Sequence, residues 1–263
     1  MNILKRELKT GRKAFILWSV GLFCILFSGM TKYTGFDGDE NALELLTSFP
    51  KIVMAVFGIV DVDLGTLGGF YAIIVYYSII CSSIYGVSLG SKAVNREVVD
   101  RTYEFIYTKP RSRRRIFSLK MLTAFIYITL YCLLNYMFSL AVVATVKSDE
   151  TITLPIILFT LSMWLMGILF YTLSAFLAAI TKNAQRGALL GNLAFVVIFL
   201  LGILYDMLEN GDLLRVFAPL KYFLSRDILA GSLDGLFLTV SLALSAGFYF
   251  AAMEIFDKKD LTA

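Results

Sequence analysis

The sequence predicts an all-α polytopic membrane protein with six transmembrane helices, and three observations carry that prediction. Of 263 residues 58% are hydrophobic and only 17% charged, against about 25% charged in an ordinary soluble chain. The apolar residues come in six runs, each near the roughly 20 residues that a helix needs to cross a bilayer. The basic residues gather in alternate connecting segments, as membrane topology demands. A single membrane domain spanning residues 1–263 follows.

Residues 1–13 carry Lys5, Arg6, Lys9, Arg12 and Lys13, with Ile3, Leu4 and Leu8 spaced for one helical face. That pattern suits an interfacial amphipathic helix on an anionic leaflet, a first contact with membrane lipid. The first span covers residues 14–30. A basic start before an apolar run also resembles a secretory signal, but this run is long and no A-x-A-like site follows it. It reads as a retained span. In the loop after it, Phe49, Ile52, Val53, Val56 and Phe57 repeat at helical spacing beside Pro50, predicting a short helix in the outer interface. Further spans follow at 69–89, 116–146, 155–180, 187–205 and 235–256. A polar island, residues 92–115, separates the second from the third.

Six spans put both termini on one side. Of the 24 Lys and Arg residues, 18 fall on that side, in residues 1–13, the stretch from Lys92 through Lys120, the 181–186 link and the tail. The termini and the island are therefore expected in the cytoplasm of a cell-membrane protein. The net charge of +4 follows from this topology, so nucleic acid is not an expected partner. Cys24, Cys81 and Cys132 lie within apolar runs and read as core or lipid-facing residues rather than disulfides. The chain has no histidine, which excludes Ser-His and Cys-His catalysis and HExxH zinc sites. It has no GxxxxGK[ST] loop for ATP. No carboxylate or base sits near the centre of a predicted span, which speaks against an ion-coupled transporter. Glu254 lies at the cytoplasmic end of the sixth.

Within the island Val98, Val99, Thr102, Phe105 and Ile106 can share one helical face, with Glu97, Arg101, Glu104 and Lys109 mostly opposite. Pro110 ends that helix, because it lacks an N–H and crowds the preceding turn. Arg111, Arg113, Arg114 and Arg115 follow where the chain re-enters the membrane. A solvated loop with ordinary positive-inside charges is the simpler alternative.

The order Glu97, Thr102, Glu104, Phe105, Pro110, Ser112, Arg113 resembles the loop between the second and third spans of type-2 permeases of ATP-binding-cassette (ABC) exporters. Arg101 stands where that family commonly has glycine. The likeness extends to the basic start, the six-span layout, the Pro219–Tyr222 segment and the Phe256-Asp-Lys-Lys-Asp-Leu261 tail. The resemblance implies a permease without enzymatic activity of its own. It would pair with a second permease, a copy or a paralogue. Two ATPase subunits would bind ATP and Mg²⁺, and this chain would bind no cofactor or metal. The island becomes a coupling helix, with Glu97, Arg101, Thr102, Glu104, Phe105, Pro110 and Arg113 meeting the ATPase.

Two weaker patterns remain. Gly86-x3-Gly90 and Gly187-x3-Gly191 permit close helix approach. Gly187 and Gly191 would form either a contact with the second permease or a seam within one subunit. Tyr71, Ser78, Ser82 and Tyr85, joined by Asn135 and Asn192, form a mildly polar stripe. It would line a pathway for an amphipathic substrate, or merely hold helices together. Apolar spans suit hydrophobic or amphipathic cargo: a peptide antibiotic, a lipid or a drug. The rival reading is a standalone immunity or signalling protein whose basic loop recruits a partner.

Overall fold

Six helices among the described residues are long and apolar enough to cross a membrane. The structure is a computed structural model and describes residues 3–36, 48–60, 62–99, 112–146, 148, 150–208 and 211–259. The six are α1 (Ile3–Phe36), α3 (Leu67–Val99), α4 (Arg113–Val143), α5 (Thr153–Ile180), α6 (Ala184–Met207) and α9 (Gly235–Lys258). Shorter pieces lie between them: α2 (Lys51–Phe57), α7 (Asp212–Arg215), a 3₁₀ turn (Pro219–Lys221) and α8 (Ser225–Leu229).

Local chemistry sets several ends. Ser112 accepts a hydrogen bond from the Arg115 N–H, Asn183 from Gln185 and Arg186, and Asp234 from Leu236 and Phe237. Each side chain satisfies N–H groups that the first helical turn leaves unpaired. For α3 the cap comes from elsewhere in the chain: Glu150 accepts from Leu67 N at 2.7 Å and Gly68 N at 3.3 Å. The predicted interfacial helix is α2; Pro50 precedes it and Gly58, at φ 71°, closes it in the left-handed region.

α3 and α5 form the centre. In their most apolar windows 61% and 67% of residues are buried, against 17–22% in α1, α6 and α9. The outer helices leave their apolar faces exposed, as helices against lipid do. Inside lipid, helices associate through close packing of small residues rather than water exclusion. A Cβ on Gly90 would lie 2.0 Å from the Tyr171 carbonyl oxygen, and one on Gly86 2.7 Å from that of Gly167. The first Gly-x3-Gly pair is thus the seam between α3 and α5.

Three boundaries differ from the sequence prediction. Residues 3–13 continue into the first span as one helix. α3 does not stop at 89 but runs to Val99, so Lys92, Asn95, Arg96 and Glu97 belong to the second spanning helix. No glycine or proline lies between Ser91 and Val99, and most of the polar side chains there find partners on neighbouring helices. The 206–234 loop folds into α7, the 3₁₀ turn and α8. Arg101, Thr102, Glu104, Phe105 and Pro110 lie outside the described residues.

Candidate functional site at the root of the polar island

The described part of the island is its two roots: the last turns of α3 and the first turns of α4. Glu97 does not face outward. Its carboxylate forms an ion pair with Lys120 of α4, and the two side chains are 1% and 2% exposed. Glu97, expected at the ATPase, is here held inside the bundle: a buried carboxylate needs a charge partner, and Lys120 supplies it. The second carboxylate oxygen, Oε1, has no hydrogen-bond partner among the described residues.

Neighbouring residues fasten the same end of α3 to other helices. Arg96 pairs with Glu7 of α1 at 3.3 Å, and Asn95 Nδ2 donates to the Ala184 carbonyl at the start of α6 at 3.0 Å. Tyr127 of α4 donates to the Leu8 carbonyl. The close approach of α1 to α4 here passes through Gly11, where a Cβ would lie 2.6 Å from the Tyr127 ring.

The root of α4 is tied to the chain's tail. Arg113 donates to the Lys259 carbonyl at 2.6 Å, and Arg114 reaches Asp257 at 2.8 Å and Glu254 at 2.9 Å. Lys259 Nζ donates to the Ala178 carbonyl at 2.9 Å, capping the last turn of α5. Burial lowers the pKa of that amine from its ordinary value. Arg113, expected at an ATPase surface, thus spends a guanidinium N–H on the tail. The Arg114 pairs are half-exposed and contribute little stability individually.

The predicted polar stripe separates into two groups. Tyr71, Ser78, Ser82 and Asn135 are all fully buried. Tyr71 donates to Ser139 of α4 at 2.9 Å, Ser82 lies 3.5 Å from the Met163 carbonyl of α5, and Asn135 Nδ2 lies 3.4 Å from Thr160 Oγ1. Tyr71, Ser82 and Asn135 thus make contacts between α3, α4 and α5, while Ser78 donates to the Ile74 carbonyl of its own helix. Asn192 is exposed and lines a separate cavity. Gly187 and Gly191 face inward too: added Cβ atoms would lie 2.7 Å from Asn95 Nδ2 and from Ser174 Oγ. Any contact of α6 with another subunit would use its opposite face, where Leu189, Leu193, Val197, Leu200 and Leu204 are exposed.

At the other end of the bundle the Pro219–Tyr222 segment forms a knot. Lys221 pairs with Asp206, both nearly buried. Arg215 donates to the Lys221 and Tyr222 carbonyls at 3.0 and 2.8 Å, pairs with Asp234 at 3.3 Å and stacks over Phe237. Glu7, Lys120 and Asp206 were not singled out from sequence. Lys120 carried a signal: a lone lysine inside an apolar run needs a carboxylate.

A cavity of about 690 Å³ lies between α1, α3, α4 and α6, beside these roots. Among the described residues no cluster of metal-binding side chains occurs. The model of the ABC-2 family transporter proteins matches residues 1–261. No curated protein matches the chain. Nearly the whole sequence fits one family description, and the chain belongs to the ABC-2 family of transporter membrane proteins, the permease component of ABC transporters whose ATPase is a separate subunit.

Proposed function

We propose that this permease, with a second copy or paralogue, forms an export pathway driven by ATPase subunits docked on the island. The observation that carries the reading is the family match over residues 1–261. It displaces the standalone immunity or signalling reading. The cargo is a hydrophobic or amphipathic molecule, in keeping with spans that offer buried hydroxyls and amides rather than mid-membrane charges. Both termini and the island face the cytoplasm of the cell membrane, by the distribution of Lys and Arg.

Residues 101–110 are the docking element, with Glu104 and Phe105 as the principal contacts. Glu97 and Arg113 act differently, as anchors that fix where that element leaves the bundle. α3 and α4 are joined by a buried ion pair just inside the island. A push on the island is thereby delivered to both helices at once, as a rigid-body shift requires.

The test is co-purification of the cognate ATPase with Glu104→Ala, Phe105→Ala and the double variant, together with transport of the cargo. The expected outcome is at least a tenfold loss of associated ATPase in the double variant, with the permease itself still inserted. Unchanged association and unchanged transport would overturn the docking assignment.

A further inference from the structure

The cavity between α1, α3, α4 and α6 changes character along its length. α1 and α3 run antiparallel past it, and two contacts fix the alignment. At one end Glu7 meets Arg96 at 3.3 Å; at the other the Trp18 and Tyr85 rings lie 5.5 Å apart. The first end is polar, with Lys92, Asn95, Arg96 and Lys120 on its wall. The second is aromatic and aliphatic, with Trp18, Ile84 and Tyr85.

The polar end carries surplus positive charge. Lys120 is matched by Glu97 and Arg96 by Glu7, while no anion balances Lys92 among the cavity-lining residues. The apolar end holds an unmet hydrogen-bonding group. Tyr85 is 1% exposed and lines the cavity, yet its hydroxyl has no partner among the described residues. A buried hydroxyl without a partner is destabilising, and an acyl ester carbonyl can accept a hydrogen bond from it. The volume lies within the roughly 300–1,000 Å³ of ordinary ligand pockets.

We propose that this cavity binds an anionic phospholipid, its phosphate against Lys92 and Arg96 and the start of its acyl portion along Trp18 and Tyr85. A neutral amphiphile would leave Lys92 unmatched, and a free anion would leave the aromatic end empty. The proposal rests on the permease reading only in assigning the polar end to the cytoplasmic leaflet. Lipid held here would bridge α1 to the roots of the docking element.

The full chain in an uncharged detergent is titrated with dihexanoyl phosphatidylglycerol, dihexanoyl phosphatidylcholine and inorganic phosphate. Binding is followed through Trp18 fluorescence in a Trp164→Phe background. Phosphatidylglycerol is expected to saturate the signal, with phosphatidylcholine at least tenfold weaker and phosphate alone without effect at the same concentrations. Lys92→Gln is expected to weaken phosphatidylglycerol about tenfold, and Ala188→Phe, which narrows the cavity between its two ends, to weaken it further. Phosphate binding as tightly as the lipid would overturn the lipid assignment in favour of a free anion. Equal affinity for the two lipids, or an unchanged affinity in Lys92→Gln, would overturn the role of charge. No ATPase takes part in this assay, so its failure and a failure of ATPase docking are separate results.

Discussion

A carboxylate and an ammonium removed from water hold each other because neither can be left alone. Losing one partner of a buried pair costs on the order of 3–5 kcal/mol, whereas replacing both with apolar groups of similar size is often neutral. Lys120→Met alone is therefore expected to lower the stability of the detergent-solubilised protein by about that amount. Glu97→Leu combined with Lys120→Met should recover most of the loss, as read by thermal unfolding of the single and double variants. Additive losses in the double variant would show that the two side chains do not act as a pair. The sequence held half of this. Lys120 counted only among the cytoplasmic charges, although a charge in an apolar run needs a partner, and Glu97 was assigned outward with the island's other charges. Which face a residue occupies depends on where its helix begins, and here the helix had begun thirty residues earlier, at Leu67.

Elements were more legible than residues, because an apolar run of membrane length has few alternatives to a helix. Their ends were less legible. Polar residues mark the end of a span only when they face water, and in α3 they face partners instead. Arg96 and Asn95 bind α1 and α6, so the helix continues past the run that announced it. Glycine roles divide in the same way. Gly90 sits against the backbone of α5, so Gly90→Ala forces the two helices apart and is expected to cost at least about 1–3 kcal/mol. Gly247 on α9 has nothing within 4 Å of an added Cβ. Gly247→Ala should be neutral, or stabilising by up to about 1 kcal/mol through helix propensity. Expression and thermal stability of the two variants side by side would check the contrast; equal effects would contradict the packing at Gly90.

At the scale of the whole molecule, charge asymmetry predicts which side of the membrane each loop occupies. With Cys24, Cys81 and Cys132 replaced, single cysteines at Ser148 and Ser232 should react with a membrane-impermeant maleimide on intact cells. A cysteine at Lys258 should react only after permeabilisation, and the reverse pattern would invert the topology. Gly187 and Gly191 serve contacts within the subunit, so their spacing alone marks no face for a second permease. The buried pair at the island also has a consequence for how the protein is made. Glu97 and Lys120 are 23 positions apart, and synthesis releases the carboxylate first. Until α4 emerges from the ribosome, the end of α3 carries an acid with no counter-ion at the bilayer's edge. Only α4 supplies its partner, so the two helices are complementary as a hairpin.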